Sequence, residues 1–306
     1  MLHVSEDDVV KNLPMADAIR LVRESFRSAQ AINQPRRRMT TPAGPVLHSL
    51  AGAFGPYFGT KIYSTSKHGA YFFVLLFESS TGRPLAFIDA NRLGQIRTGA
   101  ASAVAAEALA NPQASVLAII GSGFQAQTQI EAISHVRDLR DVRVWSRDRA
   151  RREAFAAAHK GRATETAREA VTGAHIVVTA TNAKDPVIES SWISAGTLVI
   201  AMGSNQPTRR ELPADLVNRA ALVIVDSIEQ SRVESGDLLL AWTEDQWRSP
   251  GLMELRDVLR AGHTYRPDEV TIFKSNGLGV QDVAVAGHVY ETILARPSEG
   301  PDPSTR

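Results

Sequence analysis

The sequence predicts an α/β protein in which a doubly wound parallel sheet is accompanied by a smaller α+β domain. Two observations carry that expectation. First, an unbroken aliphatic run, Val116-Leu117-Ala118-Ile119-Ile120, meets a turn, Gly121-Ser122-Gly123-Phe124-Gln125-Ala126, and an amphipathic stretch with Gln125, Ile130, Ala132 and Ile133 follows. Second, short apolar runs recur at Val142–Trp145, His175–Thr179, Leu198–Met202 and Leu222–Asp226, separated by stretches of α/β length.

Taken in order, the chain opens with Ser5-Glu6-Asp7-Asp8, a helix cap, and continues through 14–30, where Met15, Ile19, Val22 and Phe26 recur at helical spacing. Ala70–Phe77 and Leu85–Asp89 are β-prone runs joined by a turn-rich segment, which predicts a hairpin. Thr98–Ala110 is an alanine-rich helix that stops at Asn111-Pro112. We therefore expect one domain over 1–112, rejoined by about 281–306, and a second over 113–280. Val280–Leu294 reads as a closing helix and Ala295–Arg306, with its prolines, as a loose tail.

The turn after Ile120 fits the G-x-G-x-x-G/A pattern of a Rossmann-type dinucleotide site. Gly121 makes the tight turn, Gly123 lets backbone N–H groups reach a pyrophosphate, and Ala126 lets the helix pack closely. Ser122, Phe124 and Gln125 complete the expected cofactor contacts at this turn, and Thr181, Met202 and Gly203 add others. Past the second strand, Ser146 and Arg147 stand where an acid would accept from a ribose hydroxyl, and Arg149, Arg151 and Arg152 follow. That favours NADP(H), with NAD(H) as the alternative, served by Asp148.

Composition removes several classes of partner. The 34 basic and 33 acidic residues nearly cancel, which argues against nucleic acid or an anionic membrane as partner and for a small molecule. There is no cysteine, so disulfides and thiolate metal sites are excluded. The eight histidines form no HExxH motif, and we expect no metal. No signal segment and no long apolar run is present, so a cytoplasmic protein is expected.

Gly59-Thr60-Lys61, Gln95–Ser102 (QIRTGAAS), the glycine turn, Met202-Gly203-Ser204-Asn205, Glu211-Leu212, Val225-Asp226-Ser227, Glu234-Ser235-Gly236-Asp237 and Thr271–Gly277 (TIFKSNG) occur in one order along the chain. Together they resemble the ornithine cyclodeaminase/mu-crystallin family over nearly the whole sequence. The resemblance implies a homodimer formed through the first domain, an active site in a cleft between domains, and nicotinamide chemistry on amino or cyclic imino acids. It also implies a substrate-carboxylate set matching Arg37, Lys61 and Arg97, with Arg36 and Arg38 flanking the first. A guanidinium holds a carboxylate bidentately and stays charged, whereas lysine can also donate a proton.

By the same resemblance, Thr98, at a helix start, contacts cofactor phosphates, and Lys274, Ser275 and Gly277 lie near the nicotinamide. One position departs from the pattern. Ornithine cyclodeaminases carry an aspartate where this chain has Asn205, which has no charge to pair with an ammonium. Reduction of a preformed cyclic imine, of the 1-pyrroline-2-carboxylate type, is therefore expected ahead of ornithine cyclodeamination, an alanine- or opine-type dehydrogenase, or a non-catalytic mu-crystallin-like binder. Glu234 is either a water-holding acid or a helix cap. His48 and His68 are minor candidates for a catalytic acid, and Tyr63, Tyr71 and Phe72 line a pocket or pack a core.

Overall fold

The computed structural model describes residues 1–263 and 265–296, so most of the expected tail lies outside the described residues. In chain order the elements are β1 (Leu2–Val4), α1 (Glu6–Asn12), α2 (Met15–Arg27), β2 (Ile32–Asn33), β3 (Arg37–Thr40), β4 (Val46–Phe54), β5 (Tyr57–Ser66), β6 (Gly69–Glu78), β7 (Pro84–Asp89) and α3 (Asn91–Leu109). They continue with β8 (Val116–Ile120), α4 (Phe124–Ser134), β9 (Asp141–Trp145), α5 (Arg149–Ala158), β10 (Arg162–Ala163), α6 (Ala167–Val171), β11 (Ile176–Thr179) and β12 (Leu198–Ala201). The last are α7 (Ala214–Arg219), β13 (Leu222–Val225), α8 (Ile228–Glu234), α9 (Gly236–Leu239), β14 (Leu252–Glu254), α10 (Leu255–Ala261), β15 (Thr271–Lys274) and α11 (Gly279–Leu294).

Two compact units result: among the described residues, 1–14, 30–94 and the chain from 279 onward form one, and 15–29 with 95–278 the other. In the first, a mixed sheet runs β1-β7-β6-β5-β4-β2, with β3 also pairing β4, and α11 packs on β4 and β5. The hairpin expected from Ala70–Phe77 and Leu85–Asp89 is the antiparallel pair β6–β7. Side chains alternate across each strand, so register decides which residues share a face. Leu50 pairs with Lys61 and His48 with Tyr63, and all four side chains lie on the buried face. Arg37 pairs with Ser49 and Arg38 with His48, so Arg38 shares the Lys61 face while Arg37 points to the other; Arg36, just before β3, is buried and donates to the Tyr63 hydroxyl on the Lys61 face.

The second unit carries the parallel sheet, in the order β10-β9-β8-β11-β12-β15-β13-β14. Every pairing in it is parallel, and β8, β11, β12, β13 and β15 are almost wholly buried, as a sheet covered on both faces requires. Three of its strands lie outside the runs expected from sequence. Two, β10 and β14, are too short to show a period. The third, β15, enters the sheet out of chain order, between β12 and β13.

One local expectation is corrected. The helix carrying Arg97 and Thr98 starts at Asn91 instead of Thr98, because the Glu6 carboxylate accepts from the backbone N–H of Asn91 and of Arg92, each at 2.7 Å. A carboxylate at this N-terminus satisfies orphan donors and complements the helix dipole. Thr98 therefore lies inside α3, where its own N–H is committed to the helix, and cannot offer a helix-start anion site.

Candidate active site

In the parallel-sheet unit, the chain leaves β8 through Gly121, whose φ of +120° favours glycine; a β-carbon there would also lie 2.4 Å from the Ala180 carbonyl oxygen. Gly123 is the N-cap of α4 and has no side chain to occupy the first-turn N–H groups. Ala126 is fully buried, as close helix packing demands. Beside this turn is an open cavity of about 1830 Å³ whose wall includes Gly121–Gln125, Ser146, Arg147, Thr181, Met202 and Gly203. That exceeds the roughly 300–1,000 Å³ typical of pockets for drug-sized ligands. The glycine turn, the open helix start and the volume fit an extended dinucleotide.

The end of β9 borders the same cavity through Ser146 and Arg147. Ser122 and Ser146 hydroxyls lie 2.9 Å apart. Asp148 caps α5, accepting from Arg151 N–H at 3.0 Å, so its carboxylate already has a structural task. Arg149 pairs with Glu153 and Arg152 with Glu165, whereas exposed Arg147 makes no ion pair among the described residues.

Below the loops that follow β11 and β12 lies a buried polar chain. Glu211 accepts from Thr181 N–H and Oγ at 2.7 and 2.8 Å and from Gly203 N–H at 2.7 Å. Asp237 in turn accepts from the N–H groups of Glu211 and Leu212, at 2.6 and 2.9 Å, and sits 2.9 Å from Lys274 Nζ, which also donates to the Ser204 carbonyl. Burial, and then the nearby Asp237 charge, raise the Glu211 pKa. Lys274, expected near the cofactor, is thus fully buried and braces the loop before Asn205.

In the same unit Arg97 is nearly buried, on a helix stitched to α4 by Gln95, which donates to the Phe124 carbonyl, and by Thr128, which donates to the Gln95 carbonyl at 3.0 Å. Gly277 has a φ of +80°, and a β-carbon there would lie 2.6 Å from Arg97 Nη1. Only glycine leaves the guanidinium that place. Glu234 is buried at the end of α8 and accepts from Gln230 at 2.7 Å; Ser227, not Glu234, caps this helix.

In the mixed-sheet unit, Lys61 Nζ lies 3.2 Å from Asp282 Oδ1 and 5.4 Å from the Phe72 ring centroid. Gly94 is what admits it, since a β-carbon there would be 2.6 Å from Nζ. Arg36 is buried and donates to the Tyr63 hydroxyl, while Arg37 is exposed on the opposite face. His48 stacks on Tyr63 with centroids 4.2 Å apart; burial, and then the charges of Arg36 and Arg38, push its pKa down to about 4. A neutral imidazole is what that leaves at neutral pH. His68 and Tyr71 are exposed.

Sequence reasoning assigned no role to Asp282, Glu211 or Asp226. Asp282 had one visible signal, an acid inside the apolar run of α11. No described cluster of histidine and carboxylate side chains is arranged to hold a metal, and no described helix is long and apolar enough to cross a membrane.

A parallel doubly wound sheet with this glycine turn marks a dinucleotide-binding protein of Rossmann type, and the chain carries a second, α+β unit as well. Residues 4–296 match the model of the ornithine cyclodeaminase/mu-crystallin family, and the chain belongs to that family. It is 36% identical over 221 residues to mouse (Mus musculus) ketimine reductase mu-crystallin, covering 72% of this chain and 68% of the mouse protein. To a Delta(1)-pyrroline-2-carboxylate reductase of Bacillus cereus ATCC 10987 it is 37% identical over 232 residues, covering 73% and 71%. Among solved structures, the Thermococcus litoralis Delta(1)-pyrroline-2-carboxylate reductase in complex with NADH and L-proline superposes with a TM-score of 0.90 at 27% identity, covering 96% of this chain and 98% of that one.

Proposed function

We propose that this protein is an NAD(P)H-dependent reductase of small cyclic imino acids of the 1-pyrroline-2-carboxylate type. The observation that carries this reading is the buried Lys61–Asp282 pair, an ammonium proton source held in place by a carboxylate. Ketimine and pyrroline-carboxylate reductases among its relatives support the same chemistry. A nicotinamide held at the glycine turn would supply the hydride. At the substrate, the C=N π bond breaks, carbon gains that hydride and nitrogen keeps or gains a proton.

The chain's own residues bind, orient and protonate. Arg97 takes the substrate carboxylate bidentately, in the space that Gly277 leaves open. Lys61 carries the proton, directly or through water. Arg36 replaces Arg37 as the arginine of the set, because Arg36 is buried and donates to Tyr63 on the Lys61 face, whereas the register turns Arg37 to the other. Asn205 hydrogen-bonds without charge, which disfavours capture of a distal ammonium and so disfavours cyclodeamination.

The cofactor is NADP(H) in preference to NAD(H), supported by Arg147 and Ser146 at the end of β9. Homodimerisation is supported by Met39, Leu47, Phe58 and Tyr71, exposed on one face of the mixed sheet. We place the reaction in the cytoplasm, where reduced nicotinamide nucleotides are regenerated. Purified protein should oxidise NADPH when given 1-pyrroline-2-carboxylate or its six-membered homologue and yield the saturated amino acid. No turnover of either imine, with ammonia released from ornithine instead, overturns the proposal.

A further inference from the structure

Asp226 closes β13 and is buried with no role in the reaction described so far. Its Oδ1 accepts from Ser227 N–H at 3.0 Å, and its Oδ2 accepts from the N–H groups of Asn276 and Gly277 at 2.7 and 2.6 Å, with the Ser275 hydroxyl at 3.5 Å. One carboxylate thus ties the end of β13 to the loop leaving β15. From the other side, Gln230 Nε2 donates to the Gly277 carbonyl at 2.8 Å. Gly277 is held by both its N–H and its C=O, in a conformation with φ of +80°.

The face of Gly277 that lacks a side chain is the surface on which the Arg97 guanidinium lies. A shift of that backbone by a few tenths of an ångström changes where the guanidinium rests, and a misplaced clamp degrades orientation of the bound group. Hydrogen bonds from backbone N–H to a carboxylate are roughly twice as strong as neutral ones, which is what a rigid seat needs. We infer that Asp226 is a positioning residue for substrate-carboxylate binding, acting on Arg97 through the backbone of Asn276 and Gly277. The inference rests on the role proposed above for Arg97.

Pyrrole-2-carboxylate, a planar analogue of the cyclic imine, is the probe, and its binding to the cofactor-loaded protein is measured by calorimetry, which needs no turnover. Asp226→Asn preserves size but puts an amide where N–H donors converge. It should weaken probe binding about tenfold, leave cofactor affinity within about twofold, and add less than about twofold when built into Arg97→Lys, because residues acting through one another are non-additive. Unchanged binding in Asp226→Asn, or a full tenfold loss on top of Arg97→Lys, overturns the inference. If Arg97→Lys alone binds the probe as the parent does, the role of Arg97 has failed and this inference falls with it. Should Asp226→Asn not fold, Asp226→Glu carries the test: the charge is kept but the longer side chain shifts the Asn276–Gly277 backbone it binds, with the same expected loss and the same non-additivity, and unchanged probe binding overturns the inference.

Discussion

Lys61 Nζ and Asp282 Oδ1 are 3.2 Å apart, with side-chain exposures of 5% and 0%. An ion pair so deeply placed is weak evidence for stability as such, since desolvation offsets much of its attraction. Breaking it is another matter. Asp282→Asn leaves the ammonium without this counter-charge and should cost about 3 kcal/mol of folding stability. It should also lower kcat on the cyclic imine by about a hundredfold, the scale of a positioned proton donor. Urea denaturation and steady-state kinetics on the same preparation check both, and a variant with parental kcat refutes the proton-donor role.

Gly94 separates packing from propensity. On helix preference alone Gly94→Ala should stabilise α3 by about 1 kcal/mol. Its β-carbon, however, would fall 2.6 Å from Lys61 Nζ and must displace it. The expected outcome is at least tenfold lower kcat with the melting temperature within a few degrees of the parent. Loss of fold without any selective loss of activity counts against the assignment.

His48 and Asp226 give stability opposite slopes with pH. The folded pKa of His48 is depressed to about 4 by burial and by the charges of Arg36 and Arg38, so its contribution is complete above about 6.5 and is lost as pH falls towards 4. Asp226 is raised to about 6 by burial, against the opposing backbone N–H bonds, so its contribution is complete below about 3.8 and is lost as pH rises through 6. Melting temperatures between pH 4 and 7 should therefore fall less steeply on the acid side in His48→Gln than in the parent. A parallel pair of curves shows that His48 does not bind fewer protons when folded.

Arg147 tests cofactor choice. As the arginine at this strand end with no ion pair among the described residues, it is available to a 2′-phosphate. Arg147→Ala should raise KM for NADPH more than tenfold and change KM for NADH less than about threefold, corresponding to loss of one charge-assisted contact. Equal effects on both cofactors would place the phosphate elsewhere.

Periodicity and turn chemistry are local, and what depends on them was legible in the sequence: the strand-glycine turn-helix over Val116–Ser134, the amphipathic α2, the β6–β7 hairpin and the parallel sheet around β8. The family likeness was legible too, because its motifs keep their order. Three things required the chain to fold. The start of α3 is set by Glu6, which meets Asn91 only after β1 to β7 have brought them together. Which of three consecutive arginines faces Lys61 depends on strand register, since a shift of one residue turns every side chain to the other face. The neighbours of the two candidate cations, Asp282 paired with Lys61 and Gly277 packed against Arg97, lie far along the chain, and contacts of that kind have no period for a sequence to display.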